Sequence, residues 1–415
     1  MGVVVKAKKT VLAGPLAPAS AEVDGLEVTQ TIQNLSHAVA LIRGKATVVR
    51  IYLTFPPGSK EKFQGEIAVS TAQGAPALYV ASSNVLDPVL TTGMSLEARR
   101  GDLRASLNFV LPEKTRGWPS LAIAVKRVYS AKSDATPAKS PTVNLPLNEA
   151  PPLRIRAIGL RYARTLEDGT AANVSPEAIH FDYLRSFLGR AYPVATVEWS
   201  QIVVDAPPLF APPFAGPQTP QGDDPLWRSK LAIAHNMLSA LRAKDISTGT
   251  DPRTHYYGLV SDASAGLFFR GAAKDVPKSP DPSIVAVGPV GDPAQYGKLK
   301  WDRDRSYGDW YGAHELAHTF GRFHPGFCGQ DASDPTFPYP EGRIGDNKHG
   351  AMIGLDVGDA ILNLPMRIWA NETSHDIMTY CDDQWISSYS YLAILDRLRL
   401  EDTQFAPLPA TTGAT

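Results

Sequence analysis

Hydrophobic and polar residues alternate along the first part of the chain with the two-residue period of β-strands. The clearest runs place every second residue on one face of a strand: Val49, Ile51 and Leu53, then Leu107, Phe109 and Leu111, then Leu121, Ile123 and Val125. Turn residues such as Pro56-Pro57-Gly58 separate the runs, and no helical stripe of useful length competes with them. The pattern predicts a small β-sandwich over residues 24–150.

The pattern changes after residues 131–152, which are rich in Ala, Ser, Pro, Lys and Asn and predict a linker or domain edge. Beyond them, strands and helices alternate. Strands are expected at residues 152–160, 193–204, 255–260 and 283–287, and helices are expected to start at Pro176, at Pro225 and near Ile386. We therefore expect a multidomain α+β protein, with the sandwich followed by an α/β domain over residues 151–405 and a tail at 406–415.

The composition of residues 1–23 can be interpreted in two ways. Lys6, Lys8 and Lys9 precede a short apolar stretch that carries two prolines, and small residues follow it. A degraded signal peptide and a disordered leader both fit this composition, so both alternatives stay open.

Composition and charge exclude several classes of function. The chain has 415 residues, more than one hydrophobic core usually serves, with 43% hydrophobic and 20% charged residues. Its formal net charge is -1 and no long run of one sign occurs, which argues against a nucleic-acid or polybasic membrane binder. No apolar stretch reaches the roughly 18 residues that a membrane helix needs. We expect a monomer without a membrane span.

The sharpest chemical signal lies at residues 314–324, which read His-Glu-Leu-Ala-His-Thr-Phe-Gly-Arg-Phe-His. Residues four apart share one face of a helix, so His314 and His318 can direct two imidazoles at one ion. Glu315 lies on the same turn and is placed to reach a metal-bound water rather than the metal.

Gly321 and His324 extend this motif, with the spacing that a third metal ligand requires. Gly321 can take a left-handed conformation and end the helix, so that the chain turns and brings His324 to the same ion. Three neutral nitrogen ligands and one water form an open, catalytic type of zinc site with one Zn²⁺. Zinc lowers the pKa of its water and polarises a substrate carbonyl, while Glu315 takes the proton and delivers it to the leaving amine.

A second motif lies downstream at Asp376-Ile377-Met378-Thr379-Tyr380-Cys381. Together the two motifs resemble the metzincin metallopeptidases, whose pattern is HExxHxxGxxH followed by a Met-turn. The resemblance implies that Met378 lies beneath the metal ligands. It also implies that Tyr380 serves as a resting metal ligand or as a hydrogen-bond donor to the oxyanion, and we assign it to transition-state stabilisation. The residues of this turn also resemble those of the pappalysin families, but the stretch is too short to assign one of these families.

The resemblance further implies the architecture of the second domain. A mostly parallel sheet is expected with two long helices behind it, the zinc helix below a cleft, and the last helix under the Met-turn. Substrate would lie extended along an edge strand, for which residues 283–287 are the candidate. One departure is Pro325 after the third histidine, where familiar families mostly carry a polar or acidic residue.

The two cysteines, Cys328 and Cys381, flank the two motifs, and we expect a disulfide between them in a secreted or extracytoplasmic protein; two free buried thiols are the alternative. His375 adjoins the Met-turn and has either a supporting or an ordinary role. A structural Ca²⁺ is a further hypothesis, resting on acidic residues in glycine-rich loops without EF-hand spacing: Asp331, Asp334, Asp346, Asp356 and Asp359.

The sequence therefore predicts a zinc-dependent endopeptidase acting on protein or peptide substrates, with His314, His318 and His324 as ligands and Glu315 as general base. Two other classes stay open. One is a surface-binding or adhesion protein whose zinc domain is inactive. The other is a zinc hydrolase of a non-peptide amide.

Overall fold

The structure is a computed structural model that describes residues 20–165, 169–207, 225–261, 271–290, 307–348 and 350–406. Within these ranges the protein is a mixed α+β molecule with several sheets and six α-helices. A search of the same residues found no helix with the length and apolar character that a membrane crossing requires. The predicted tail, apart from its first residue, and most of the leader lie outside the described residues.

Two antiparallel sheets form the N-terminal region. The first contains β1 (Glu22–Thr29), β3 (Val48–Thr54) and β6 (Leu107–Val110). The second contains β4 (Gln64–Ser70), β5 (Leu78–Ala81), β7 (Ser120–Tyr129) and β8 (Thr142–Pro146), in the order β5-β4-β7-β8. Two short helices, α1 (Pro88–Thr91) and α2 (Leu96–Arg100), interrupt the strands. The three strands read from the alternation of apolar residues are confirmed, and β1 starts two residues before the predicted sandwich boundary.

The two sheets enclose one hydrophobic core, as a sandwich does. Its buried side chains come from strands of both sheets and include Leu26, Val49, Ile51, Ile67, Phe109 and Ile123. The opposite face of β3 is buried as well, although it carries Arg50 and Tyr52. Alternation alone predicted one buried face; both faces are buried because β3 also lies against α2 and the region that follows the sandwich.

The second large sheet is mostly parallel. Its order is β11 (Val197–Asp205), β9 (Leu153–Thr165), β12 (His255–Val260), β14 (Ala286–Pro289) and β13 (Ala272–Ala273), with β10 (Ala171–Val174) paired to the end of β9. Only β13 and β10 run antiparallel to their neighbours. The strands expected at 152–160, 193–204 and 255–260 are confirmed within a few residues.

Helices cover this sheet on both faces. Helix α3 (Ala178–Ala191) packs on one face together with α5 (Gly308–Thr319), and α4 (Pro225–Ser247) packs on the other. The expectation of two long helices behind the sheet did not include α4 on the opposite face. Parallel strands that are buried on both faces require helices on each side. Helix α3 starts at Ala178, since Glu177 takes the capping position and its N–H donates to His180 Nδ1 at 2.9 Å.

The predicted edge strand is also wrong. Residues 283–287 overlap β14, which pairs with β12 on one side and with β13 on the other. In the described part of the chain, the short strand β13 lies at that end of the sheet. The apolar run from Val285 to Val287 arises because this strand is buried between two others. The two residues of β13, Ala272 and Ala273, are too few to give a periodic pattern.

An arm from the N-terminal region enters the region that carries the histidines. Strand β2 (Ile32–Gln33) pairs with β15 (Ile353–Asp356), which in turn pairs with β16 (Arg367–Trp369). Three apolar residues of this arm lie in the same core as α5: Ile32, Val39 and Ile42. Residues 29–42, which the sequence prediction placed in the sandwich, thus help to build the core of the second region.

Residues 375–404 form a compact unit that contains the second motif and the last helix. Strand β17 (His375–Asp376) pairs with β18 (Gln384–Trp385), and α6 (Ser388–Gln404) follows. The helix expected near Ile386 starts two residues later because Ser387 caps it, accepting a hydrogen bond from Ser390 N at 3.1 Å. Ile394, Leu395 and Leu398 of α6 pack in the core that also contains Met378.

Candidate metal centre

Helix α5 places the first two histidines inside the protein. Its residues from Gly308 to Thr319 are all buried, and His314 and His318 retain 4% and 7% exposure. Gly321 follows the helix with φ +77°, in the left-handed region that glycine favours. A Cβ there would lie 2.7 Å from the Pro277 carbonyl oxygen, so a side chain has no room. This turn redirects the chain towards His324.

The three imidazoles converge through their Nε2 atoms. His324 Nε2 lies 3.2 Å from His314 Nε2 and 2.9 Å from His318 Nε2. His314 Nδ1 donates to the Ile377 carbonyl at 2.7 Å, and His318 Nδ1 donates to the Arg322 carbonyl at 2.6 Å. Because a carbonyl oxygen only accepts, the proton of each of these two rings sits on Nδ1 and its Nε2 lone pair faces the common centre.

This donor set fits a tetrahedral transition-metal ion. Zn–N bonds of about 2.0–2.1 Å place tetrahedral ligand atoms roughly 3.3 Å apart, close to the observed spacing. The lone pairs on His314 and His318 Nε2 and the His324 Nε2 atom meet at this spacing only with a cation, or a proton on His324 Nε2, between them. Burial, with the neighbouring His324 ring as a second cause, lowers the pKa of His318 to about 3, so its ring is in the neutral, metal-binding form. Among the described residues, these three histidines form the one cluster that could hold a metal ion.

The third histidine is held by a turn that sequence reasoning missed. The His324 carbonyl accepts from Ser333 N at 2.9 Å and from Asp334 N at 2.8 Å, while His324 N donates to Ser333 Oγ at 3.1 Å. Asp334 is anchored in turn by Arg322 at 3.1 Å and by the Tyr389 hydroxyl. Asp334, considered above as a calcium ligand, instead fixes the loop that carries His324.

The second motif forms a tight turn beneath the histidines. Met378 is buried at 1% exposure, and the Ile377 carbonyl accepts the His314 hydrogen bond. The fully buried Asp376 carboxylate shapes the turn, accepting from Met378 N at 2.8 Å and from Ser387 N at 2.9 Å. Burial raises the pKa of Asp376, and these hydrogen bonds partly oppose that effect. Sequence reasoning quoted Asp376 in the motif but gave it no role.

Tyr380 lies beside the metal centre. Its half-buried ring has its centroid 5.3 Å from that of His324 and 6.0 Å from that of His314. The structure thus brings the predicted tyrosine to the rim of the histidine cluster.

The predicted disulfide is present between Cys328 and Cys381, with an S–S distance of 2.01 Å. Cys328 lies in the loop after His324, and Cys381 follows Tyr380 directly. The bond therefore joins the loop of the third histidine to the turn below the metal centre.

Glu315 lies against the end of the large sheet. Its side chain is buried at 4% exposure and packs on Gly271, immediately before β13. A Cβ on Gly271 would lie 2.5 Å from Glu315 Cγ and 2.8 Å from its Oε1, so a side chain at this position would displace the Glu315 carboxylate. The His235 ring, which holds β13 in place from α4, lies with its Nε2 2.8 Å from the Ala272 carbonyl oxygen.

The remaining candidates do not join the cluster. His375 Nδ1 lies 2.7 Å from the Asp382 carbonyl oxygen and outside the histidine group. Asp356 pairs with Arg190, and Asp359 accepts from the Ser186 hydroxyl at 2.6 Å. The five acidic residues considered for calcium form no joint site in the described part of the chain, so the calcium hypothesis gains no support there.

Comparison of the chain with models of known protein families found no match, and comparison with curated proteins found none either. The functional argument therefore rests on the residues and geometry of the site.

Proposed function

We propose that the protein is a zinc-dependent endopeptidase of the metzincin kind. The observation that carries the proposal is the convergence of three imidazole Nε2 atoms, with Glu315 one residue after the first ligand. Three protein ligands leave one position of a tetrahedral ion open, which is typical of catalytic rather than structural zinc. The buried turn at Met378 and the ring of Tyr380 beside the histidines also support it.

Each residue has a distinct role in the proposed reaction. His314, His318 and His324 would hold the zinc ion, which when bound lowers the pKa of water and polarises a carbonyl group. Glu315 accepts a proton from the attacking water and passes it to the leaving amine. Tyr380 donates a hydrogen bond to the oxyanion that develops on the substrate. No covalent bond to the protein is needed.

The position of β13 suggests how a substrate would lie. Among the described strands, β13 is at the end of the sheet beside Glu315, and Gly271 lets the backbone approach this side chain closely. An extended peptide that pairs with a sheet edge is held by backbone hydrogen bonds, whatever its side chains. This replaces residues 283–287 as the proposed substrate strand. The disulfide suits a secreted or extracytoplasmic enzyme.

Hydrolysis of casein and of a peptide library, with and without a chelator, tests the proposal. Chelation should abolish cleavage, and added zinc should restore it. Glu315→Ala should retain zinc and lower kcat by roughly 10²–10⁴-fold, the usual contribution of a general base. The matched control is Glu372→Ala, at an exposed position away from the histidine cluster, which should cleave at the wild-type rate.

Other outcomes separate the alternatives. Stoichiometric zinc without turnover of any peptide would favour a binding or adhesion protein with an inactive zinc domain. Turnover confined to small non-peptide amides would favour an amide hydrolase. Wild-type activity in Glu315→Ala would contradict the assigned mechanism.

A further inference from the structure

Tyr257 is a large buried side chain next to the proposed general base. It lies on β12 at 0% exposure and packs against α5 at Gly312. A Cβ on Gly312 would lie 3.2 Å from Tyr257 Cε1, so this glycine makes room for the ring. Gly312 precedes Glu315 by three residues and therefore shares its face of the helix.

Among the described residues, the hydroxyl of Tyr257 has no hydrogen-bond partner. It occupies the space where a side chain on Gly288 of β14 would begin, since a Cβ there would lie 2.2 Å from the oxygen. Burial, and secondarily the charge of Glu315, raises the pKa of Tyr257 well above its usual value. The hydroxyl therefore keeps its proton and is available as a donor.

The Glu315 carboxylate faces the same space. Its side chain packs on Gly271, and a Cβ on Gly288 would lie 3.6 Å from the Gly271 Cα. Gly271 and Gly288 are neighbours across β13 and β14, and neither carries a side chain. Tyr257 and Glu315 therefore approach a single pair of glycines, one from β12 and the other from α5.

A buried hydroxyl without a partner destabilises a folded protein and calls for a physical explanation. Phenylalanine would fill the same space without this cost. A small rotation of the Glu315 side chain towards the glycines would give the hydroxyl an acceptor.

We propose that Tyr257 is a positioning residue for Glu315: its hydroxyl donates a hydrogen bond to the carboxylate and holds it in the orientation that proton transfer needs. The catalytic part of this inference rests on the proposed function. The pairing itself does not, because it concerns two side chains of the folded chain.

A double-mutant cycle on thermal unfolding tests the pairing without any activity measurement. The cycle compares wild type, Tyr257→Phe, Glu315→Ala and the double variant, each with and without a chelator. Tyr257→Phe should lower the midpoint by about 2 °C when Glu315 is present. In the Glu315→Ala background it should leave the midpoint unchanged or raise it, because an unpaired buried hydroxyl is removed. Equal shifts in both backgrounds would overturn the pairing.

Kinetics test the positioning role. Tyr257→Phe should lower kcat about tenfold with KM within twofold of wild type and zinc content unchanged. The matched control is Tyr256→Phe on the same strand, whose ring packs on the opposite face and whose hydroxyl donates to Asp245 at 2.9 Å. This control should keep wild-type kcat. Unchanged kcat in Tyr257→Phe, or loss of zinc from it, would refute the positioning role, whereas an inactive wild type would refute only the proposed function.

Discussion

One buried carboxylate of the sandwich and the buried groups around the metal centre differ in how their hydrogen-bonding capacity is met. In the sandwich, the Glu27 carboxylate is fully engaged, because Arg100 donates to one oxygen at 2.6 Å and the Tyr52 hydroxyl donates to the other at 2.6 Å. In the described part of the second region, the Tyr257 hydroxyl has no hydrogen-bond partner and three imidazole nitrogens face one another. Departures from local consistency are expected at functional sites, and the cluster of facing imidazoles is such a departure.

The arm at residues 29–42 connects the two regions. Thr31 lies near its start, and the Thr31 carbonyl accepts from Leu355 N at 2.7 Å and from Trp385 Nε1 at 3.0 Å. The arm therefore supports the sheet and the turn that lie beneath the metal centre. The variants described below test whether the two regions also differ in stability in solution.

Removing the disulfide should have the largest effect, because the histidine region is cross-linked and the sandwich contains no cysteine. The two cysteines are 53 residues apart, and a loop of this length gives a stabilisation of about 4 kcal/mol in the chain-entropy treatment. The double variant Cys328→Ser, Cys381→Ser should lose about that much free energy of unfolding in a urea titration, and it should bind zinc more weakly. Unchanged values for both would show that the bond does not constrain this region.

Truncation of the arm core should have the next largest effect. Ile32→Ala, at 2% exposure, should lower the free energy of unfolding by about 3 kcal/mol through lost burial and a cavity. Hydrogen exchange should show faster opening of α5 and β15, because Ile32 lies in the core with α5 and pairs with β15. Ile67→Ala, in the sandwich core, is the control and should loosen the sandwich strands instead. The same exchange pattern in both variants would remove the distinction between the regions.

The smallest expected effect is a pH dependence of stability that arises from His37 in the arm. His37 Nε2 accepts a hydrogen bond from Val28 N at 3.0 Å, and burial lowers the pKa of His37 below its usual 6.5. The unfolded chain then binds a proton more readily, so stability is full above about pH 6.5 and falls as the pH drops towards the folded pKa. Unfolding in urea at pH 7.5 and 5.5, with chelator present, should show a smaller loss for His37→Asn than for wild type. A loss as large as that of wild type would remove His37 as the cause.

Sequence reasoning could predict local features and short-range chemistry. Alternation located β3, β6 and β7, and helical spacing brought His314 and His318 to one face. It could not predict pairings that join distant segments, such as β2 with β15, because two residues carry no periodic signal. It also missed Asp376 and Tyr257, whose importance comes from what surrounds them in the folded chain. Tertiary context decides such roles, and a single sequence does not display it.

The zinc content of the purified chain, measured by elemental analysis, tests the central claim most directly. The account predicts about one zinc ion per chain in wild type and its loss in His318→Ala, while His375→Ala retains it. An absence of stoichiometric zinc in the folded wild-type chain, or equal zinc in the His318→Ala variant, would contradict the account.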